Sequence, residues 1–297
     1  MAPPPIRPSE SVYVPHETCK RIIRDVKSMR KNPLTDSGIY YKHDDENIMK
    51  GYAMIIGPSD TVYRGGYYLF EFNYPPDYPA SPPGVSFKTN HDNIRFHPNL
   101  YVNGKVCISL LNTWTGEQWT SCQTISTILL TLCTLFTNEP LLHEPEITRS
   151  NRDFNAYTAL IEYKNIEIAT THMLNKLPSM YIPMFDLFYA DMVEHFLGNV
   201  DTMRTYIQKL VADNNDGEIE EAGRYIQIIQ YKIYRVLDYP NLLVEFEKLV
   251  CTQLVQLEQR MYLNQLNQLE NISDGKVASI ESCANWMRIP LCCYRVQ

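Results

Sequence analysis

At 297 residues, 44% hydrophobic and 21% charged, the sequence has the make-up of a folded globular chain with room for one large domain or two smaller ones. A formal charge of -7 argues against a general nucleic-acid partner, since such proteins gather cations to neutralise phosphates. No run approaches the roughly 18 to 20 uncharged apolar residues of a membrane span, and the opening MAPPPIRPSE lacks the apolar core of a secretory signal. The expectation is therefore cytoplasm or nucleus, with no membrane partner.

Residues 1–15 carry five prolines and no periodic apolar pattern, which predicts a flexible lead-in. In HETCKRIIRDVKSMRKNP, the spacing of Ile22, Ile23, Val26 and Met29 predicts a helix that ends before Pro33. Lys20, Arg24, Lys27 and Lys31 then fall on one side of it, either as a solvated face or as a docking face for an acidic partner. NIMKGYAMIIG, GYYLFEFNY and PGVSFK are rich in β-branched and aromatic residues and are separated by Gly and Pro turns, which predicts an antiparallel meander. YPPDYPASPP holds five prolines in ten positions, too many for a strand or helix.

TISTILLTLCTLF places Ile125, Ile128, Leu129, Leu132, Leu135 and Phe136 on one broad apolar helical face, with Cys133 in the same environment. SNRDFNAYTALIEYKNIEIATTHML reads as a helix to about Lys176, opened by Ser150 and Asp153 in a capping-like arrangement. Pro178 marks a boundary, and MFDLFYADMVEHFL, VDTMRTYIQKLVA, GRYIQIIQYKIYRVL and the long run from Asn241 read as separate amphipathic helices.

Eight cysteines without regular disulfide spacing or a Cys-x-x-Cys pair point to reduced thiols. Cys283, Cys292 and Cys293 have neither zinc-ligand spacing nor the position that prenylation needs, so no metal is expected. The chemically informative stretch is RFHPNLYVNGKVCISLL. Pro98 restricts its neighbourhood and Asn103-Gly104 is a tight-turn signal, so Asn99 can be held across a short loop from Cys107. A thiol attacks as thiolate, and an Asn amide can donate to a developing oxyanion without a charge of its own. The plainer alternative is that Asn99 only ties its own loop together.

These residues carry a family resemblance. IIGPSDTVYRGGYYLFEFNYPPDYPASPPGVSFKTN, followed by His97-Pro98-Asn99 and Cys107, resembles the catalytic core of ubiquitin-conjugating enzymes from about residue 16 to 176. The continuation CISLLNTWTGEQW is most similar to the large Z-type enzymes and the conjugating domain of giant apoptosis inhibitors. The resemblance implies an α+β fold with an N-terminal helix, a four-stranded antiparallel sheet and C-terminal helices, joined to an α-helical extension. The expected organisation is lead-in 1–15, conjugating core 16–177 and helical extension 178–297.

The resemblance further implies that Cys107 accepts ubiquitin or a ubiquitin-like modifier as a thioester from an activating enzyme, then passes it to a substrate lysine or a ligase, with no cofactor of its own. Asn99 matches the amide that supports the oxyanion or the surrounding loop, while His97 and Pro98 shape that loop. An acidic residue that orients the incoming lysine falls within TNEPLLHEPE, with Glu139 the first candidate and His143 and Glu144 behind it. Lys20, Arg24 and Lys27 match the activating-enzyme face. Tyr78, Pro79 and Ala80, with Trp119, Thr120, Ser121 and Cys122, match the ligase-binding loops.

The sequence departs from the family pattern in three places. Ser109 replaces a frequent Asp, Ala80 replaces a larger apolar residue, and Thr120-Ser121-Cys122 replaces Ser-Pro-Ala. The last two predict weaker standard ligase contacts. The rival readings are a noncatalytic ubiquitin-binding scaffold of the same fold, and a partner-binding extension for which the core is only a platform.

Overall fold

In the computed structural model of the protein, which describes residues 14–176, 184–214 and 223–273, the first apolar period becomes α1, His16–Lys31. Ile22, Val26 and Met29 are buried, but Ile23 is 44% exposed and lies on the basic side. The buried face instead takes in Arg21 and Asp25, 8% and 4% exposed, whose side chains meet at 2.9 Å. Two charges one turn apart can share a buried face only if they neutralise each other and use their remaining hydrogen-bonding groups. They do so. Arg21 donates to the carbonyls of Ser121 (2.6 Å) and Gln123, and Asp25 accepts the Tyr78 hydroxyl at 2.6 Å.

The meander is an antiparallel sheet in the order β1 (Ile39–His43), β2 (Lys50–Ile56), β3 (Tyr67–Asn73), β4 (Gly84–Phe87). The register sets Met54 opposite Leu69 and Phe72 opposite Val85. Tyr67 and Tyr68 point to opposite faces, as neighbours on a strand must, yet both are fully buried. The Tyr68 ring stacks on Phe136, just past α2 (Ile125–Cys133), whose start is closed by a Thr124–Thr127 capping box. Tyr67 donates to the Met192 carbonyl at 2.9 Å, within a helix further along the chain. Cover on both faces explains why YYLF reads as a continuous apolar run rather than an alternation.

α3 (Phe154–Lys164) continues as a π-helical stretch, Asn165–His172. Asp153 precedes it without a side-chain capping bond. Its carboxylate accepts from the Gln230 amide at 2.7 Å instead, so the expected cap is replaced by a long-range tie. α4 (Met184–Asp213) is one helix where two were expected. Glycine inside a helix costs up to about 1 kcal/mol, and Gly198 is outweighed by the flanking buried residues Phe188, Met192, Phe196, Met203 and Ile207. The helix is bound to the sheet through Lys42, whose ammonium reaches Asp191 at 2.8 Å.

The segment expected as a third extension helix is a β-hairpin, β5 (Arg224–Ile228) with β6 (Ile233–Leu237). Its β-branched and aromatic content disfavours a helix. Ile226, Ile228, Ile233 and Leu237 point inward while Tyr225, Tyr234 and Val236 stay exposed, a strand alternation rather than a helical stripe. α5 follows, Tyr239–Ser273, with Phe246 and Val250 buried and Leu254, Leu257 and Met261 exposed. The chain forms two compact units, Met1–Val250 and Cys251–Gln297, so α4 and the hairpin share a unit with the sheet. Among the described residues no helix is long and apolar enough to cross a membrane. Most of the Pro-rich lead-in, the Pro178 boundary and Cys283, Cys292 and Cys293 lie outside the described residues.

Removing one member of the buried pair strands the other charge, so Asp25→Ala is expected to lower stability by about 3 to 5 kcal/mol in denaturant unfolding. A loss below about 1 kcal/mol, the range of exposed pairs, would show that Arg21 finds water instead.

Candidate active site

The loop from Arg95 to Leu111 is shaped by one reversal. Gly104 has φ 85°, and a Cβ there would sit 2.9 Å from the Phe87 carbonyl, so the turn requires glycine. The Asn103 side chain accepts the Lys105 amide at 3.1 Å. The chain doubles back, and Tyr101 N–H donates to the Lys105 carbonyl at 2.9 Å. Cys107 is thereby brought against Asn99. The Cys107 N–H donates to the Asn99 carbonyl at 2.9 Å, and the Asn99 side-chain amide donates to the Cys107 carbonyl at 2.5 Å.

The approach to this pair is held by its own carbonyls. Tyr63 donates to Phe96 O at 2.7 Å and Tyr157 to Arg95 O at 2.6 Å, both rings being buried, which pushes their hydroxyls well above the usual tyrosine range. Arg95 Nε and Nη2 both donate to the Pro98 carbonyl. His97 Nδ1 accepts the Asn99 amide at 3.0 Å, which assigns the ring proton to Nε2. Burial, with the neighbouring His143 and Arg95, drives the His97 pKa well below its ordinary 6.5, so the ring is neutral. The structure thus gives His97, Pro98 and Asn99 distinct tasks in one loop. Among the described residues, the buried Asn99 Oδ1 and His97 Nε2 have no hydrogen-bond partner.

Cys107 is 2% exposed. Beyond it, Thr113 Oγ1 is bonded to the Val106 carbonyl (2.9 Å) and the Ile108 amide (3.1 Å), pinning both flanks of the cysteine. Asn112, at φ 56°, turns the chain and accepts the Trp119 amide at 3.0 Å. Trp119 Nε1 and Ser121 Oγ both donate to the Pro79 carbonyl, so the two loops expected at a ligase surface are joined directly. Tyr78 and Trp119 form the buried floor, and Ala80, Thr120, Ser121 and Cys122 are exposed above it. Arg21 and Asp25 tie this floor to α1, where Arg24 and Lys27 are exposed and Lys20 is paired with Glu17 at 3.0 Å.

The three candidates for lysine orientation separate. Glu139 is held by both nitrogens of an exposed Arg149 at 2.6 Å, an arrangement that lowers its pKa. His143 sets its ring edge-on to His97, 4.6 Å between centroids, and partial burial lowers its pKa. Glu144 accepts the Tyr231 hydroxyl at 2.9 Å and lies 3.9 Å from Arg95. His143 and Glu144 therefore border the tripeptide loop, while Glu139 is occupied elsewhere. Among the described residues no group of His, Cys, Asp and Glu could hold a metal ion.

Residues 21–162 match the family model of ubiquitin-conjugating enzymes. Through that domain the chain belongs to the ubiquitin-conjugating enzyme family. Ubiquitin-conjugating enzyme E2 Z of Xenopus tropicalis is 42% identical over 157 residues, covering 52% of this chain and 50% of that protein. Its Homo sapiens counterpart is equally identical over the same length, covering 44% of that protein. The chain thus spans about half the length of these relatives. A solved structure of human ubiquitin-conjugating enzyme E2 G1 matches with 32% identity and a TM-score of 0.36, over 42% of this chain and 97% of that one. The family resemblance and its Z-type leaning are therefore shown, and so is the ubiquitin-conjugating fold, with the N-terminal helix and the four-stranded antiparallel sheet in place.

Reasoning from motifs named no role for Arg95, Tyr63, Tyr157 or Tyr231, all of which hold the loop around the tripeptide. Arg95 carried one signal, a lone charge two residues before the tripeptide. Tyr231 carried none, because its segment read as a helix.

Because the native state keeps His97 neutral and the unfolded chain protonates it below about pH 6.5, stability is full above that value and declines as pH falls beneath it. His97→Asn should flatten the decline between pH 6.5 and 5 by up to about 1.4 kcal/mol per pH unit. The readout is denaturant unfolding across pH, and an unchanged slope would show that His97 is protonated in the fold.

Proposed function

We propose that the chain is an acyl-transferring conjugating enzyme whose Cys107 carries ubiquitin or a ubiquitin-like modifier. The observation that supports this most is the mutual hydrogen bonding of Asn99 and Cys107 inside a ubiquitin-conjugating domain. In the first step, Cys107 loses its thiol proton and its sulfur attacks the thioester carbonyl on an activating enzyme. The tetrahedral intermediate expels that enzyme's cysteine thiolate, so one thioester replaces another. In the second, a lysine amine attacks the Cys107 thioester, the thiolate leaves and the nitrogen loses a proton, giving an isopeptide. Transfer to a ligase cysteine repeats the first step.

Each tetrahedral intermediate carries an oxyanion. One hydrogen of the Asn99 amide is used by the Cys107 carbonyl, and the same nitrogen carries a second for the oxyanion. Neither step needs a strong base at the cysteine, because thiolate is a good leaving group and the geometry supplies orientation. His143 and Glu144, bordering the loop, are better placed than Glu139 to meet the incoming amine. The exposed Arg24 and Lys27, with Lys20, form the activating-enzyme face, and Tyr78 to Ala80 with Trp119 to Cys122 the ligase face.

The test is charging with purified activating enzyme, ATP and ubiquitin, followed by discharge onto free lysine. Wild type should form a thiol-sensitive adduct and Cys107→Ala none, while Asn99→Ala should charge but discharge about a hundredfold more slowly. Wild type that never charges, with any activating enzyme or modifier, moves the reading to a noncatalytic scaffold. Arg24→Glu should slow charging alone, most strongly at low ionic strength. An equal effect at high salt would place Arg24 outside the docking face.

A further inference from the structure

The hairpin beyond the conjugating core meets the cysteine loop at Tyr231. Tyr231 sits in the turn between β5 and β6, where Lys232 adopts φ 53° and donates back to the Ile229 carbonyl. Its ring lies 4.9 Å from the Arg95 guanidinium, and the Tyr101 ring lies 3.9 Å from the same group. Arg95 thus meets two aromatic rings while its nitrogens grip the Pro98 carbonyl, the centre of the His97-Pro98-Asn99 turn. A guanidinium over aromatic faces is attracted to them, and its planar fork keeps a fixed donor geometry.

Two further ties place the ring. The Tyr231 hydroxyl donates to Glu144, and the neighbouring Gln230 amide donates to Asp153, at 2.9 and 2.7 Å. The ring also packs 5.4 Å from Tyr157, whose own hydroxyl holds the Arg95 carbonyl. Arg95 is consequently contacted by Tyr101, Tyr157 and Tyr231, and of these three Tyr231 comes from outside residues 21–162.

We propose that Tyr231 is a positioning residue for the Cys107 site, acting through Arg95 so that the hairpin keeps the tripeptide loop in register with the cysteine. This deepens the reading of Cys107 as a thioester carrier and rests on it for its catalytic consequence. The ring carries the effect, and the hydroxyl fixes where the hairpin docks. Without the ring, Arg95 can leave Pro98, and the Asn99 amide then moves relative to the Cys107 carbonyl. A misplacement of about 1 Å at such a site can cost up to about a hundredfold in rate.

The experiment uses the full chain with Tyr231→Phe, Tyr231→Ala, Arg95→Ala and the Tyr231→Ala/Arg95→Ala double variant. Two readouts are followed, discharge of ubiquitin-charged enzyme onto free lysine, and the iodoacetamide alkylation rate of Cys107 by peptide mass spectrometry. Cys133, half-buried on α2, is the internal control for general loosening. The proposal expects Tyr231→Ala to discharge about tenfold more slowly at saturating lysine, with charging preserved. It expects Cys107 to be alkylated faster while Cys133 is unchanged, Tyr231→Phe to restore both, and the double variant to be no worse than Arg95→Ala.

The proposal is overturned if Tyr231→Ala matches wild type, if Cys107 and Cys133 become reactive together, if phenylalanine fails to restore, or if the two substitutions multiply. Wild type that cannot be charged defeats the thioester reading separately, and the alkylation comparison still decides whether Tyr231 holds the loop.

Discussion

Two hydrogen bonds exchanged between Asn99 and Cys107 are the constraint on which the site depends. They fix the cysteine backbone against the tripeptide, and nearly every surrounding feature serves to make that exchange possible. Gly104 lets the chain return. Tyr63, Tyr157 and Arg95 hold the incoming strand by its carbonyls, His97 shapes the turn from inside, and Thr113 pins the residues on either side of Cys107. A loop lacks the repeating ladder of a sheet, so its backbone groups must be satisfied one at a time. Buried tyrosine hydroxyls do much of that here.

A second buried arrangement organises α1 and the two loops beside it. Arg21 and Asp25 would be costly inside α1 if left alone, but each completes its bonding on another loop. One charge pair therefore sets α1, the Tyr78-Pro79 segment and the Trp119 loop at fixed distances. The exposed basic side of α1 and the loop pair around Pro79 are in this way joined through the same buried contacts.

Much of this was legible from the residues. α1, the three read strands and α2 followed from spacing, and the Asn-Gly turn located the reversal that brings Asn99 to Cys107. What escaped did so for physical reasons. Ile23 fits a helical stripe, but the buried face belongs to a neutralised charge pair that periodicity reads as polar and exposed. Asp153 looks like a cap and is used by a backbone amide 77 positions away, a tie that local pattern cannot contain. The hairpin at Arg224–Leu237 reads as a helix because Ile226, Ile229, Ile233 and Leu237 fall three or four apart, although Ile229 is exposed in the turn between the two strands. Glu139 had the expected chemistry, but its neutralising partner, Arg149, was ten residues further on.

If the Cys107 sulfur is the acyl acceptor, an oxygen in its place accepts the same acyl group through a different bond. Cys107→Ser, incubated with activating enzyme, ATP and ubiquitin and measured by intact mass, should gain one modifier through an ester that survives thiol, whereas the wild-type adduct is released. Peptide mapping should place both at residue 107. A thiol-labile adduct on the serine variant, or a wild-type adduct at any other cysteine, would contradict the account.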